Sequence, residues 1–495
     1  MCINISSISY LRDLKQLNDG LGHDGLHSRV LKMASQPLID ILCTFINLCF
    51  SHCYIPPKLL IGNIRPTVKD RKGFLTDLDN YRPVMQSSCL LKLIEIHILE
   101  IVSEKVAINE NQYGFRKGIS TSDACYVLKE VMFNHSHKRD KGLIMFVDLS
   151  KAFDKVYHYI LGNKLLDENV PVDIIFLLMH YLRNQVAYVV WGKSHGRLHP
   201  VEKGVRQGGI LSPLLFKIYI NSILQLISSM NEGCVLGITK VNIIAYADDI
   251  CLLAQSEKDM EAIYVQFNRQ LIDHQLLINK TKTKCMRINC RQDNTVGNVI
   301  RLGDDNIKIV TNYKYLGHVI SNNLQDGDDV ELRLKSFYAS FNSMYRNYKH
   351  TDESTILYHF KSYCLPDYGL SLWSSNILSK CIFKAFEVAF SNSLKQMIGA
   401  PIHSSNHEVA ERCNQLLLRH NLALVQARFF HRLMNSKVST IRYNFPFLYN
   451  GNILSSLVKS FNDVYSIDLS KYDMDIIKAR IGWVQRHEPR RTLYN

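Results

Sequence analysis

Tyr246-Ala247-Asp248-Asp249 sets two adjacent carboxylates between two short apolar segments, Val241 to Ala245 and Ile250 to Ala254. Charges placed this way repel one another and lose hydration, and divalent cations relieve both costs most simply. Apolar segments of this length suit buried strands, so the pattern predicts Asp248-Asp249 at the turn of a hairpin. A solvated turn explains an isolated acid pair equally well, because Asp is common in turns. Metal chemistry therefore requires a partner acid elsewhere in the chain.

Gly142 to Asp154 supplies one. Leu143 to Val147 reads as a buried strand ending at Asp148, with Ser150 as the cap of a helix carrying Phe153, Val156 and Tyr157 on one side. Carboxylates from neighbouring strands can hold Mg²⁺, which takes a few carboxylates and completes its shell with water and substrate phosphates. Two such ions roughly 3.5–4 Å apart activate an attacking hydroxyl and neutralise a leaving pyrophosphate. A third element, Gly204 to Phe216, contains the glycine pair Gly208-Gly209 followed by Ser212-Pro213, a helix start. The helix is expected to bury Leu214, Leu215 and Ile218. The glycines permit close approach of a base pair or sugar, with Arg206 and Gln207 as polar contacts.

The chain that positions these elements has 495 residues, more than one ordinary core holds. With 46% hydrophobic and 21% charged residues it is globular rather than broadly disordered. Its formal net charge of +14 makes a polyanion a natural partner. Thirteen cysteines are scattered with no C-x-x-C pair, and no secretory leader pattern opens the chain. They read as reduced thiols of an intracellular protein, nuclear or cytoplasmic. Cys49 and Cys53 fall on an apolar stretch that predicts a buried helix rather than a zinc site, and no run approaches membrane-spanning length. Residues 1 to about 60 read as mainly helical and 61–83 as a basic loop or hairpin. Helices alternate with short strands from about 85 to 330, and the pattern is helical beyond, including 382–399 and 416–433.

These elements resemble, in order and spacing, the reverse transcriptases of non-LTR (LINE-like) retrotransposons. Phe146-Val147-Asp148 through Ala152-Phe153-Asp154-Lys155-Val156-Tyr157-His158 is similar to their first palm motif. Arg206-Gln207-Gly208-Gly209-Ile210-Leu211-Ser212-Pro213 is similar to the second, and Tyr246-Ala247-Asp248-Asp249 to the third. Asn80 to Val84 and Gln112 to Thr121 resemble the fingers motifs, and Asn279 with Lys282-Thr283-Lys284, then Tyr315-Leu316-Gly317, the two later palm motifs. Gly22 to Leu26 resembles a short motif preceding the fingers, with His23 where proline is usual. Tyr368-Gly369 with Trp373 resembles a segment following the thumb. Met85-Gln86 departs from the family's usual Ile-Ser.

The resemblance implies an α+β right-hand polymerase with fingers, an antiparallel-sheet palm and a helical thumb, flanked by helical extensions. The expected divisions are a helical N-terminal extension 1–48, a reverse transcriptase domain 49–320, a thumb and following segment 321–410, and a helical basic region 411–495. It implies an RNA-directed DNA polymerase (a nucleotidyltransferase) of a transposable element, extending a DNA primer on an RNA template with dNTPs. By that resemblance Asp148, Asp248 and Asp249 are the catalytic metal ligands for two Mg²⁺ ions, with Mn²⁺ as an alternative. Phe153 selects deoxynucleotides, Gln207 and Gly208 border the incoming nucleotide, and Arg82 and Lys69 clamp the triphosphate. Lys282 is a candidate general acid, and the basic run Asn279 to Arg291 lines a nucleic-acid channel. Asp154 and His158 are expected to form structural hydrogen bonds. An endonuclease, often encoded upstream in such elements, is expected to come from elsewhere, the chain reading as a shortened copy. The alternative is a decayed or repurposed element copy that binds RNA without polymerising.

Overall fold

The computed structural model describes residues 13, 14, 17, 20–71, 73–138, 142–288, 298–365, 369–444 and 453–487. The main strands of its two larger sheets are, in chain order, β1 (Ile61–Val68), β2 (Tyr81–Ser87), β3 (Gly142–Asp148), β4 (Val186–Trp191), β5 (Ile243–Tyr246), β6 (Asp249–Ala254), β7 (Lys284–Ile288), β8 (Val299–Leu302) and β9 (Asp305–Ile309). The chain divides into two compact units. One comprises Met1–Phe115, Asp148–Ser229 and Val265–Asn279; the other comprises Arg116–Val147, Met230–Tyr264 and Lys280–Asn495.

In the first unit the basic stretch 61–83 forms the expected hairpin. β1 and β2 pair antiparallel from Gly62↔Ser87 to Val68↔Tyr81, and β4 joins β1 in parallel, giving the order β2-β1-β4. Helix Gln36–Ser51 buries Ile39, Cys43, Ile46, Cys49 and Phe50, a helical spacing with a proline in its first turn. The expected buried helix holds for Cys49 and Phe50, while Ser51 and His52 are exposed and Cys53 lies just past the helix end, half-buried. Helix Cys89–Lys105 is apolar nearly all round, and its Glu95 would be costly there without partners. Both carboxylate oxygens have one: Tyr181 Oη donates at 2.7 Å and the Ile210 N–H at 2.7 Å.

The second unit holds a six-stranded sheet of order β8-β9-β7-β3-β6-β5. Gly142 to Val147 of β3 and Ile250 to Ala254 of β6 are buried without alternation, as strands covered on both faces must be. β8 and β9 alternate exposed and buried residues, which marks the half-solvated edge. Beyond the sheet, helix Gly327–Tyr348 buries Val330, Phe337, Phe341 and Met344. These join Phe360, Phe383, Phe386, Phe390 and Leu394 in one aromatic-rich core. Helices Cys381–Met397 and Leu418–Met434 fall close to the segments expected at 382–399 and 416–433. The α+β expectation holds. Among the described residues no helix is long and apolar enough to cross a membrane.

One local expectation fails. Ser150 caps no helix; its N–H donates to the Leu277 carbonyl at 2.9 Å, and Leu149 bridges Ile278. The chain then turns through Lys151 in the left-handed region (φ 51°), makes a short 3₁₀ turn over Ala152–Lys155, and enters a helix only at His158. The bridge from Leu149 to Ile278 and the Ser150 bond to Leu277 tie this stretch to 277–278, and that pairing overrides the local helical pattern.

Candidate active site

The acid-bearing hairpin is as tight as a hairpin can be. Tyr246 pairs with Asp249, leaving Ala247-Asp248 as a two-residue connection between β5 and β6. Such turns require positive φ in the loop, and Ala247 adopts φ 58° without being glycine. That conformation costs an L-residue about 1–2 kcal/mol. Asp248 is half-buried at the tip and Asp249 exposed as the first residue of β6. Within the sheet β6 is the hydrogen-bonded neighbour of β3. The Asp148 carbonyl accepts the Asn279 N–H at 2.8 Å, joining the first acid motif to the asparagine of a later one.

A second group of predicted residues is assembled within the first unit. Phe153 is half-buried and stacks on Phe216 of helix Ser212–Ser229, centroids 4.6 Å apart and planes 17° off parallel. Backbone bonds lace its turn to the glycine-bearing loop: Val205 N–H donates to Phe153 O at 2.8 Å and Gly204 N–H to Val156 O at 2.8 Å. His158 donates its Nε2–H to Gly204 O at 2.8 Å. Burial pushes the His158 pKa down against the opposing effect of that bond, which suits a neutral ring. Gln207 donates from Nε2 to Asp154 Oδ1 at 3.0 Å, and its own carbonyl accepts the Met85 N–H at 2.7 Å. Gly208 sits at φ 105°, where a side chain would be strained, and a Cβ would lie a tight 3.0 Å from the Met85 carbonyl oxygen.

Arg82 is exposed on β2, opposite Thr67, on the strand that Met85 ties to Gln207. Lys69 is exposed at the far end of the same hairpin and donates to the Asp79 carbonyl at 2.8 Å. The Asp79 carboxylate pairs with Lys151 at 2.8 Å, and that hydrogen bond and charge raise the lysine's pKa. The unusual Met85-Gln86 is accommodated. Gly62 leaves room where a Cβ would meet Met85 Sδ at 2.7 Å, and the Gln86 amide donates to the Leu21 carbonyl beside the turn at Gly22 to Leu26.

Two sequence readings are corrected. Arg206 is no ligand contact: it is 3% exposed, donates to Gln185 Oε1 at 2.9 Å and to the Leu60 carbonyl, and lies over the Tyr181 ring. A buried guanidinium with these partners holds the first unit together. The basic run from Asn279 is also less uniform than its sequence. Lys280 pairs with Asp305, Arg287 pairs with Glu257 at 2.8 Å, and Arg291 lies outside the described residues. Lys282 is exposed just before β7. Of the segment Tyr368-Gly369 with Trp373, Tyr368 lies outside the described residues, while Trp373 is buried and donates to Asp329 at 2.9 Å. The sequence reading also missed Asp13, whose carboxylate meets His97 at 3.2 Å in a buried pair, since nothing in its local pattern marks it.

Residues 69–320, just over half the chain, match the family model described as reverse transcriptase (RNA-dependent DNA polymerase). The chain belongs to the reverse transcriptase family. It is 26% identical over 294 residues to a retrovirus-related Pol polyprotein from a type-1 R2 retrotransposable element of Nasonia vitripennis, covering 57% of this chain and 28% of that protein. It is 24% identical over 411 residues to an RNA-directed DNA polymerase from the mobile element jockey of Drosophila funebris, covering 78% of this chain and 43% of that one. The chain thus spans less than half the length of these relatives. A solved apo telomerase from Candida tropicalis aligns at TM-score 0.41 and 11% identity, over 90% of this chain and 74% of that one.

Proposed function

We propose that this chain is the polymerase of a non-LTR retrotransposon, adding deoxynucleotides to a DNA primer 3′-hydroxyl opposite an RNA template. The observation that supports the reading is the tight, strained turn that carries Asp248 immediately ahead of Asp249 between two strands. Three carboxylates and no thiolate or imidazole make a hard, all-oxygen donor set, which fits Mg²⁺ better than zinc. Asp148 and Asp248 would hold two ions, with Asp249 as an accessory acid. When bound, such ions lower the pKa of an attacking hydroxyl and neutralise charge on the leaving pyrophosphate.

The remaining roles fall to the chain's own side chains. Phe153, fixed against Phe216, blocks the space a ribose 2′-hydroxyl would need. Gln207 and Gly208 border the nucleotide's sugar and base. Arg82, with Lys69, attracts the triphosphate, a guanidinium being suited to paired phosphate oxygens. Lys282 protonates the departing pyrophosphate. Residues 49–320 form fingers and palm, 321–410 the thumb segment, and 1–48 and 411–495 flanking extensions.

Primer extension on an RNA template with dNTPs and Mg²⁺ tests the reading. Wild type is expected to extend and Asp248→Asn/Asp249→Asn to be inactive; a double variant that still extends sinks the metal assignment. Phe153→Ala is expected to admit rNTPs that the wild type rejects. A wild type that binds RNA but extends in no divalent metal favours a repurposed RNA-binding protein instead.

A further inference from the structure

We propose that Asp154 is a positioning residue for the incoming nucleotide, acting through Gln207; this rests on the polymerase reading above. An ionised carboxylate accepts hydrogen bonds and donates none. The 3.0 Å bond from Gln207 Nε2 to Asp154 Oδ1 therefore decides which way round the amide lies. Its NH₂ faces Asp154, and its carbonyl Oε1 points to the opposite side. Gln207 then presents an acceptor to whatever enters the loop. Without Asp154 the amide can flip, and a donor can stand where the acceptor should be.

Both ends of this bond are rigidly held. Asp154 donates its N–H to Lys151 O at 3.0 Å, and its backbone packs onto Gly204, where a Cβ would lie 2.9 Å from Asp154 Cα and O. Gly204 is thereby the residue that lets the two segments touch, and its φ of 88° suits glycine as well. The bonds Val205 N–H to Phe153 O and Gly204 N–H to Val156 O flank the carboxylate on either side. The Gln207 main chain is anchored to Met85 of β2. Asp154 thus couples three things: the turn carrying Phe153, the glycine loop, and the strand carrying Arg82. A carboxylate kept half-buried between two packed segments to hold one amide is specific to orientation; a hydrophobic residue there would pack without orienting anything.

The test is single-nucleotide extension on a primed RNA template with Asp154→Ala, Asp154→Asn, Gln207→Ala and the double variant D154A/Q207A. Asp154→Ala is expected to raise KM for dNTP about tenfold with a smaller change in kcat, since an orienting contact made before chemistry is lost. Asp154→Asn, whose amide oxygen still accepts, should recover most of that rise. D154A/Q207A should match Q207A within about twofold, because residues acting through one contact do not add. Should Asp154→Ala not fold, Gln207→Glu serves: facing carboxylates should raise KM, and D154N/Q207E, which restores a donor–acceptor pair, should lower it again. A wild-type KM in Asp154→Ala, full additivity in D154A/Q207A, or no recovery in D154N/Q207E overturns the proposal. A wild type that extends nothing fails the polymerase reading and this proposal together, whereas the other failures remove this proposal alone.

Discussion

Two acid pairs in the same compact unit, Asp248 with Asp249 and Asp326 with Asp329, differ in almost everything except chemistry. Asp248 is half-buried and Asp249 exposed, at the tip of a tight hairpin whose flanks are apolar. Asp326 and Asp329 are 6% and 3% exposed at the base of helix Gly327–Tyr348. There Asp326 pairs with Lys129 at 2.6 Å and accepts the Ser374 N–H at 2.8 Å. Asp329 accepts the Val319 N–H and the Trp373 indole at 2.9 Å each, with His318 and Arg333 at 3.5 and 3.6 Å. Protein donors compensate the buried pair. The hairpin pair lies at a partly exposed turn and, on the polymerase reading proposed above, holds metal. Removing the buried pair should therefore affect stability, and removing the hairpin pair, function.

The largest expected effect is on catalysis. Asp248→Asn should lower primer extension by about 10³-fold or more, with a melting temperature equal to or above wild type because charge repulsion at the turn is relieved. A clear loss of stability in this variant would place Asp248 with the structural acids. Next, Asp329→Ala should destabilise the fold by about 3–5 kcal/mol, the cost of removing the buried carboxylate that the Val319 N–H, the Trp373 indole, His318 and Arg333 face. Urea denaturation measures it, and a cost below about 1 kcal/mol would erase the contrast between the pairs.

A smaller, pH-dependent effect sharpens the distinction. Burial alone would raise the Asp329 carboxyl, but His318, the Val319 N–H, Trp373 and Arg333 outweigh it and hold the pKa below the ordinary carboxylate value. A depressed folded-state pKa stabilises above the unfolded-state value, about 3.9, and that contribution disappears as pH falls through the folded-state value. The stability gap between wild type and Asp329→Asn should be full at pH 7 and narrow below about pH 4. Smallest of all, Ala247→Gly should leave stability unchanged or raise it by up to about 1 kcal/mol. Relief of the positive φ is partly offset by the greater freedom of glycine in the unfolded chain. A loss of stability would show that the Ala247 methyl packs usefully despite its strained backbone.

Much of the site was legible because its signals are local. Apolar runs flanking Asp248-Asp249, the strand ending at Asp148 and the Ser212-Pro213 helix start each depend on a few consecutive residues, and each is found where expected. Asp326-Gly327-Asp328-Asp329 is at least as acidic a string, yet its neighbours announce no site. Two of its partners, Lys129 and Trp373, are far away in sequence, so no local pattern could show that it is buried and satisfied. Arg206 was misread for the same reason: within a glycine-rich motif it looks like a ligand contact, and only Gln185, Leu60 and Tyr181 reveal it as internal. Asp154 likewise carries no local mark of its partner, because Gln207 lies 53 residues further along the chain.

By itself the sequence determined the family and the α+β class, and it singled out the three acids and Phe153 as candidates, because residue type and short-range spacing suffice for these. Tertiary structure alone decided that Ser150 is strand-paired rather than a helix cap, that Lys280 and Arg287 are neutralised by Asp305 and Glu257, and that the amide of Gln207 is oriented by Asp154. Each depends on a group distant in the chain. Hydrogen bonds and ion pairs act over a few ångströms of space, whatever number of residues the chain puts between the partners.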